Sequence, residues 1–186
     1  MNHESIQKEK KTIRSQIHLL KLRLSDEEKF KEANAVFEKI EILPEFKAAN
    51  TILMYWSTKY ELPTHDIIKE WITQKFIILP SIVGKKMVLK RLISVDNLVQ
   101  KTLGIWEPYL TDIYTGKIDL AIVPGVAFDV NKNRLGRGKG YYDLFFKKKS
   151  RFKIGIGFDF QLLKSIPIQR FDKKMDKIIT MSNTIE

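Results

Sequence analysis

Between residues 4 and 24 the apolar positions are Ile6, Ile13, Ile17, Leu20 and Leu24, with lysines and arginines elsewhere. That spacing predicts an amphipathic helix with one apolar stripe. Ser25-Asp26-Glu27-Glu28 follows, a serine with a glutamate three positions later, the pattern of a capping box that starts a second helix. Phe30, Ala33, Phe37 and Ile40 form its predicted buried stripe, and the helix should end near Pro44. The period then changes. Residues 51–56, TILMYW, are continuously apolar and rich in β-branched and aromatic side chains, as a buried strand requires. A polar stretch at 57–61 leads to Pro63-Thr64 and a helix carrying Ile67, Ile68, Trp71 and Ile72. Residues 76–80 and 87–93 predict two more strands around a tight turn at Gly84-Lys85-Lys86. Later strands are predicted at 119–123, 153–158 and 177–180, with a helical turn at 161–164. Gly155 and Gly157 in the second of these would let a ligand or another backbone approach closely.

The strand at 119–123 runs into Pro124-Gly125, a polar loop, and then Gly136, Gly138 and Gly140 alternating with Arg137 and Lys139. Glycines permit positive φ and bring several backbone N–H groups onto one anion, and a following helix adds its positive end. Arg137 and Lys139 add full charges, so the expected ligand is a phosphate, most simply that of a nucleotide. Two common phosphate signatures are excluded. A Walker A loop needs glycine where Asn133 stands and serine or threonine at Gly140, and a dinucleotide fingerprint needs glycine at Tyr141. In an open α/β sheet the crevice forms at the carboxyl ends of the strands. Glu61, after the 51–56 strand, and the glycine loop, after the 119–123 strand, are therefore expected on one edge. Lys10 and Arg14, four residues apart on the first helix, project from one face and can clamp a phosphate.

Composition narrows the chemistry. The 186 residues suit a single domain spanning 1–186, and no segment reads as a membrane span or signal peptide, so a cytoplasmic enzyme is expected. The absence of cysteine excludes disulfides, thiolate metal sites and cysteine nucleophiles. With 33 Lys and Arg against 22 Asp and Glu, a net charge of +11 favours anionic partners. The densest basic run is Lys147, Lys148, Lys149, Arg151 and Lys153. No helix-turn-helix, zinc-finger or aromatic-basic sheet pattern accompanies it, so it reads as a solvated surface rather than a nucleic-acid site. A basic nucleic-acid-binding module and another nucleotide-dependent small-molecule kinase stand as the alternatives.

The run from Pro124 to Asp143, above all NRLGRGKGYYD at 133–143, resembles the signature of 5-formyltetrahydrofolate cyclo-ligases, also called 5,10-methenyltetrahydrofolate synthetases. The likeness extends more thinly over nearly the whole chain. It implies a Rossmann-like three-layer α/β sandwich with a largely parallel central sheet and helices on both faces, as in sugar-phosphate isomerases and CoA transferases. It also implies conversion of 5-formyltetrahydrofolate to the methenyl form with ATP and Mg²⁺. Its ATP contacts fall on Lys10, Arg14, Arg134, Gly136, Arg137, Gly138, Lys139, Gly140, Tyr141 and Tyr142. Folate contacts fall on Glu61, facing the pterin, with Trp56 and the 137–141 loop beside it. Arg137 and Lys139 would act in phosphoryl transfer, and Asp143 and Asp176 would hold the metal. An antiparallel strand at 177–180 would bring Asp176 to the required edge. The substrate is a reduced formyl-folate, with or without added glutamates, and a monomer is expected. Two positions depart from the family pattern: Leu103, where an aromatic precedes the GIWEP element at 104–108 and leaves Trp106 as a substitute, and Phe171, where a histidine is common.

Overall fold

Strands that are apolar on both faces must be covered on both sides, and the chain meets that demand with one seven-stranded sheet. The computed structural model describes residues 3–84, 86–101, 106–109, 111–147 and 151–186. Five strands run parallel: β1 (Thr51–Leu53), β2 (Phe76–Val83), β6 (Leu120–Pro124), β9 (Phe152–Ile156) and β11 (Lys177–Ile179). Antiparallel β3 (Lys86–Arg91) and β12 (Thr184–Ile185) close the two edges, giving the order β12-β11-β9-β6-β1-β2-β3. From β1 the chain first goes to β2 on one side and later to β6 on the other. The crevice between the carboxyl ends of β1 and β6 is therefore the switch point where open α/β sheets bind ligands.

The period of two along each strand sorts the core into two faces. Ile52, Met54, Ile77, Leu79, Leu120, Ile122, Ile154 and Ile156 meet helices α2 (Asp26–Glu41), α3 (Pro44–Ala48) and α4 (His65–Trp71). Leu53, Ile78, Ala121, Val123 and Ile178 meet Phe128 and helix α5 (Tyr141–Lys147) on the other face. The capping box of α2 forms as expected: Glu28 N donates to Ser25 Oγ at 3.2 Å and Ser25 N donates to Glu28 Oε2 at 2.8 Å. Its buried stripe is Ala33, Val36, Phe37 and Ile40; Phe30, expected there, is 47% exposed. Among the described residues no helix is long and apolar enough to cross a membrane.

Several expectations are corrected. The polar loop after β6 contains a small second sheet, in which β7 (Ala127–Asp129) pairs with β8 (Arg134–Leu135) and β10 (Leu162–Leu163). Helix α1 (His3–Lys21) packs on that sheet through Ile17, beside Ala127, Leu135 and Ile166. The helical turn expected at 161–164 is a 3-10 turn at Asp159–Gln161 followed by β10. Gly155 and Gly157 make room for side chains rather than a ligand: a Cβ at 155 would lie 2.5 Å from the Phe128 ring, and one at 157 would lie 2.9 Å from Gln161 Oε1. The strand at 177–180 is not the last one, and β11 is parallel to β9, not antiparallel. Gly84 takes φ +58 in the β2–β3 turn, whose Lys85 lies outside the described residues. So do Leu103, Gly104, Ile105, Lys148 and Lys149.

Candidate active site at the strand carboxyl ends

The loop after β1 turns back through hydrogen bonds that Glu61 organises. Its Oε2 accepts from Thr58 N at 2.9 Å and Thr58 Oγ1 at 3.0 Å. Its Oε1 meets Arg137 Nη2 at 2.9 Å, and the same guanidinium donates to Thr58 Oγ1 at 3.0 Å. This contact joins two segments 76 positions apart in sequence, across the β1–β6 switch point. Glu61 is mostly covered, whereas the Arg137 side chain is 54% exposed and can turn toward a ligand.

A buried scaffold carries the glycine loop. Asp129, at the end of β7, accepts four hydrogen bonds: Asn131 N at 2.9 Å, Asn133 N at 3.0 Å, Asn133 Nδ2 at 2.9 Å and Ile166 N at 3.0 Å. Saturating the carboxylate in this way fixes the turn that leads into the loop. Arg134, its side chain only 4% exposed, donates from Nη1 to Pro124 O at 3.1 Å and from Nη2 to Asp143 Oδ2 at 3.1 Å. Its guanidinium lies 5.3 Å from the Tyr142 ring centroid. Burial pushes the Tyr142 phenol well above its ordinary value, with Arg134 opposing. Arg134 and Tyr142 thus sit beneath the loop, and their role there is support. Gly138 and Gly140 have φ of +95 and +68, a left-handed backbone that excludes ordinary side chains at both positions. Lys139 is exposed and, among the described residues, forms no ion pair or hydrogen bond.

Helix α1 and the segment near residue 170 close the site from the side. Arg14 Nε donates to Gly136 O at 2.9 Å, and Gly138 lies against the same guanidinium. Lys10 Nζ pairs with Asp172 Oδ2 at 2.5 Å, buried, and Asp172 also accepts Gln169 N at 2.8 Å. Lys10, Arg14 and the loop are thereby brought together. Trp56 stacks on His65 at 4.2 Å and 16°, so at least one face of its ring is already covered. Trp106 in β5 (Trp106–Pro108) is 40% exposed, while its neighbour Glu107 latches that strand to β2 through Ser81 Oγ at 2.5 Å and Ile82 N at 3.0 Å.

The two carboxylates expected to share a metal are not brought together. Asp143 stands in the first turn of α5, held by Arg134 and by Lys173 N at 3.2 Å. Asp176 precedes β11, and because β11 runs parallel to β9 it sits at the opposite, amino-terminal edge of the sheet. There it accepts from Lys153 N at 2.8 Å and Lys153 Nζ at 2.5 Å. Asp143 fits a hard cation that takes one carboxylate plus phosphate and water oxygens; Asp176 does not. Among the described residues no group of three or more His, Asp or Glu is close enough to hold a metal by itself.

Two residues escaped the sequence reading. Gln161 is buried and donates from Nε2 to Gly125 O and Val126 O, both at 2.8 Å, pinning the start of the loop that leaves β6. Lys21 ends α1 with its side chain buried. A signal was present for Lys21: residues 6, 10, 13, 17, 21 and 24 share one helical face, and two of them are lysines.

The sequence pattern of the 5-formyltetrahydrofolate cyclo-ligase family matches residues 6–181. The chain belongs to that family. It is 31% identical over 199 residues to a probable 5-formyltetrahydrofolate cyclo-ligase of Caenorhabditis elegans, covering 97% of each protein. It is 29% identical over 187 residues to the 5-formyltetrahydrofolate cyclo-ligase of Mus musculus, covering 91% of this chain and 92% of the mouse protein. The fold is similar to the NMR structure of Aquifex aeolicus 5,10-methenyltetrahydrofolate synthetase, with TM-score 0.85, 32% identity, and 94% and 91% of the two chains covered.

Proposed function

We propose that the protein converts 5-formyltetrahydrofolate and ATP to 5,10-methenyltetrahydrofolate, ADP and phosphate. The observation that carries this reading is the 2.9 Å contact between Glu61 and Arg137, which links a carboxylate suited to a pterin with a loop suited to phosphates. The formyl oxygen is a poor leaving group. Transfer of the terminal phosphoryl group to it makes the carbon electrophilic, the neighbouring anilino nitrogen attacks, and phosphate departs with that oxygen. No covalent bond to the protein is needed, so the side chains act by positioning and by offsetting charge.

Lys139, free at the rim, holds the transferring phosphoryl oxygens, and the amides of Gly136, Gly138 and Gly140 bind the adjacent phosphates. Arg137 turns from Glu61 toward the same phosphates when substrate enters, which frees Glu61 Oε1 for the N–H donors of the pterin while Oε2 stays on Thr58. Tyr141 lies between the two substrates. Lys10 and Arg14 cover the nucleotide from α1, while Arg134 and Tyr142 keep the loop in shape from below. Magnesium, when bound, neutralises phosphate charge, and Asp143 is the carboxylate that would hold it. The net charge of +11 supports a folate carrying several glutamates. A cytoplasmic, single-chain enzyme belongs to the same reading.

The test is to mix purified protein with 5-formyltetrahydrofolate and MgATP and follow methenyl absorbance beside ADP release. Equal formation of both, lost when the folate or Mg²⁺ is omitted, is the expected result. ADP formed without methenyl product would overturn the acceptor and leave a kinase of another small molecule.

A further inference from the structure

Lys21 is a largely buried lysine without a hydrogen-bond or ion-pair partner among the described residues. Only 7% of the residue is exposed, and among the described residues its Nζ forms neither a hydrogen bond nor an ion pair. Its nearest described partner is the Phe158 ring, 6.0 Å from Nζ to the centroid, at the outer limit of a cation–π contact. Phe158 follows the carboxyl end of β9 and stacks on Phe160, so Lys21 faces the same sheet edge as Glu61 and the glycine loop. The charges that reach it are Glu61, which favours the ammonium, and Arg137, which opposes it. Around it, His18 on α1 is turned to the edge of Tyr60, over which Lys59 lies, and Asp159 is turned to Ser182. Burial pulls the Lys21 ammonium down to about 8, the Glu61 charge only partly resisting.

A largely covered lysine without a partner is costly, and leucine or methionine would fill the same stripe at lower cost. The position is therefore explained by what the cation does when the site is filled. Resting on the cyclo-ligase reading, we propose that Lys21 is a substrate-binding residue that donates to the pyrimidinone carbonyl of the reduced folate while Glu61 accepts the adjacent ring and amino N–H bonds. The chemistry is complementary. That edge of a pterin presents two donors beside one acceptor, a pattern that one carboxylate cannot satisfy alone. A carboxylate with a nearby ammonium matches all three groups and rejects rings with the donor and acceptor exchanged.

The test compares wild type with Lys21→Met and Lys21→Arg, using 5-formyltetrahydrofolate and MgATP. Lys21→Met should raise the KM for the folate roughly tenfold or more, the loss of a hydrogen bond from a charged group, and leave the KM for ATP unchanged. In wild type kcat/KM for the folate should fall as pH rises through about 8, where the ammonium loses its proton. That limb should vanish in Lys21→Met and move to higher pH in Lys21→Arg. Removing the buried charge should also raise the melting temperature at neutral pH, whereas a merely structural lysine would lower it. A folded Lys21→Met enzyme with unchanged folate KM and the same alkaline limb overturns the assignment, as does an equal rise in both KM values. If wild type itself makes no methenyl product, the cyclo-ligase reading fails and this inference falls with it.

Discussion

The two ends of the central sheet handle charge in opposite ways. At the amino-terminal end, charged groups are used up on the backbone. Asp119 Oδ2 accepts from Asn50 N at 3.1 Å and Thr51 N at 3.0 Å. Asp176 takes Lys153 N, and Lys75 Nζ donates to Ala49 O at 2.7 Å. Burial opposes ionisation of Asp119, but the hydrogen bonds from Thr51, Lys117 and Asn50 outweigh it and hold the carboxyl below its ordinary range. At the carboxyl-terminal end Lys139 is free, Lys21 is unpaired, and Arg137 shares an exposed contact it can leave. The comparison separates groups that hold the strands together from groups left available for a ligand.

If that contrast is right, substitutions at the two ends should affect different quantities. The largest effect is expected from Lys139→Ala, which should lower kcat by about two to three orders of magnitude through lost charge stabilisation in phosphoryl transfer, with an unchanged melting curve. Near-normal turnover would remove Lys139 from the chemistry. Next comes Glu61→Gln, which exchanges one acceptor oxygen for a donor. It should raise the folate KM roughly tenfold or more and leave the ATP KM alone, as read from initial rates over both substrates. Inside the sheet, away from either set of charges, Gly155→Ala should destabilise by about 1–3 kcal/mol in denaturant unfolding, because the added methyl meets the Phe128 ring at 2.5 Å and Met175 at 3.0 Å. The smallest effect belongs to Asp176→Asn, a loss of about 1 kcal/mol with turnover and Mg²⁺ requirement unchanged. A raised Mg²⁺ requirement would instead return Asp176 to the metal.

Much of this division was readable before the structure, because it rests on local patterns. Glycine spacing at 136, 138 and 140 announces positive φ, and a continuous apolar run such as 51–56 announces a strand covered on both sides. What escaped depends on pairing between distant segments. The strands of the small sheet are only two or three residues long, too short for a period to register, and they are held between α1 on one side and, through Phe128 of β7, the central sheet on the other. The edge on which Asp176 falls depends on the direction of β11, which is set by its register with β9. Lys21, and the burial of Lys10, escaped for another reason: lysine is so seldom buried that neither was expected inside the apolar stripe. Each is buried because of something outside the helix, Asp172 for one and the ligand crevice for the other.

The pairing of Lys10 with Asp172 spans 162 positions of sequence. During synthesis the glycine loop and the strands up to β9 leave the ribosome before Asp172 does, so the contact that fixes Lys10 beside the loop cannot form until the chain beyond Asp172 has emerged. On the cyclo-ligase reading, a polypeptide ending before that point would lack this contact and should hold ATP more weakly, which would tie the onset of activity to completed translation.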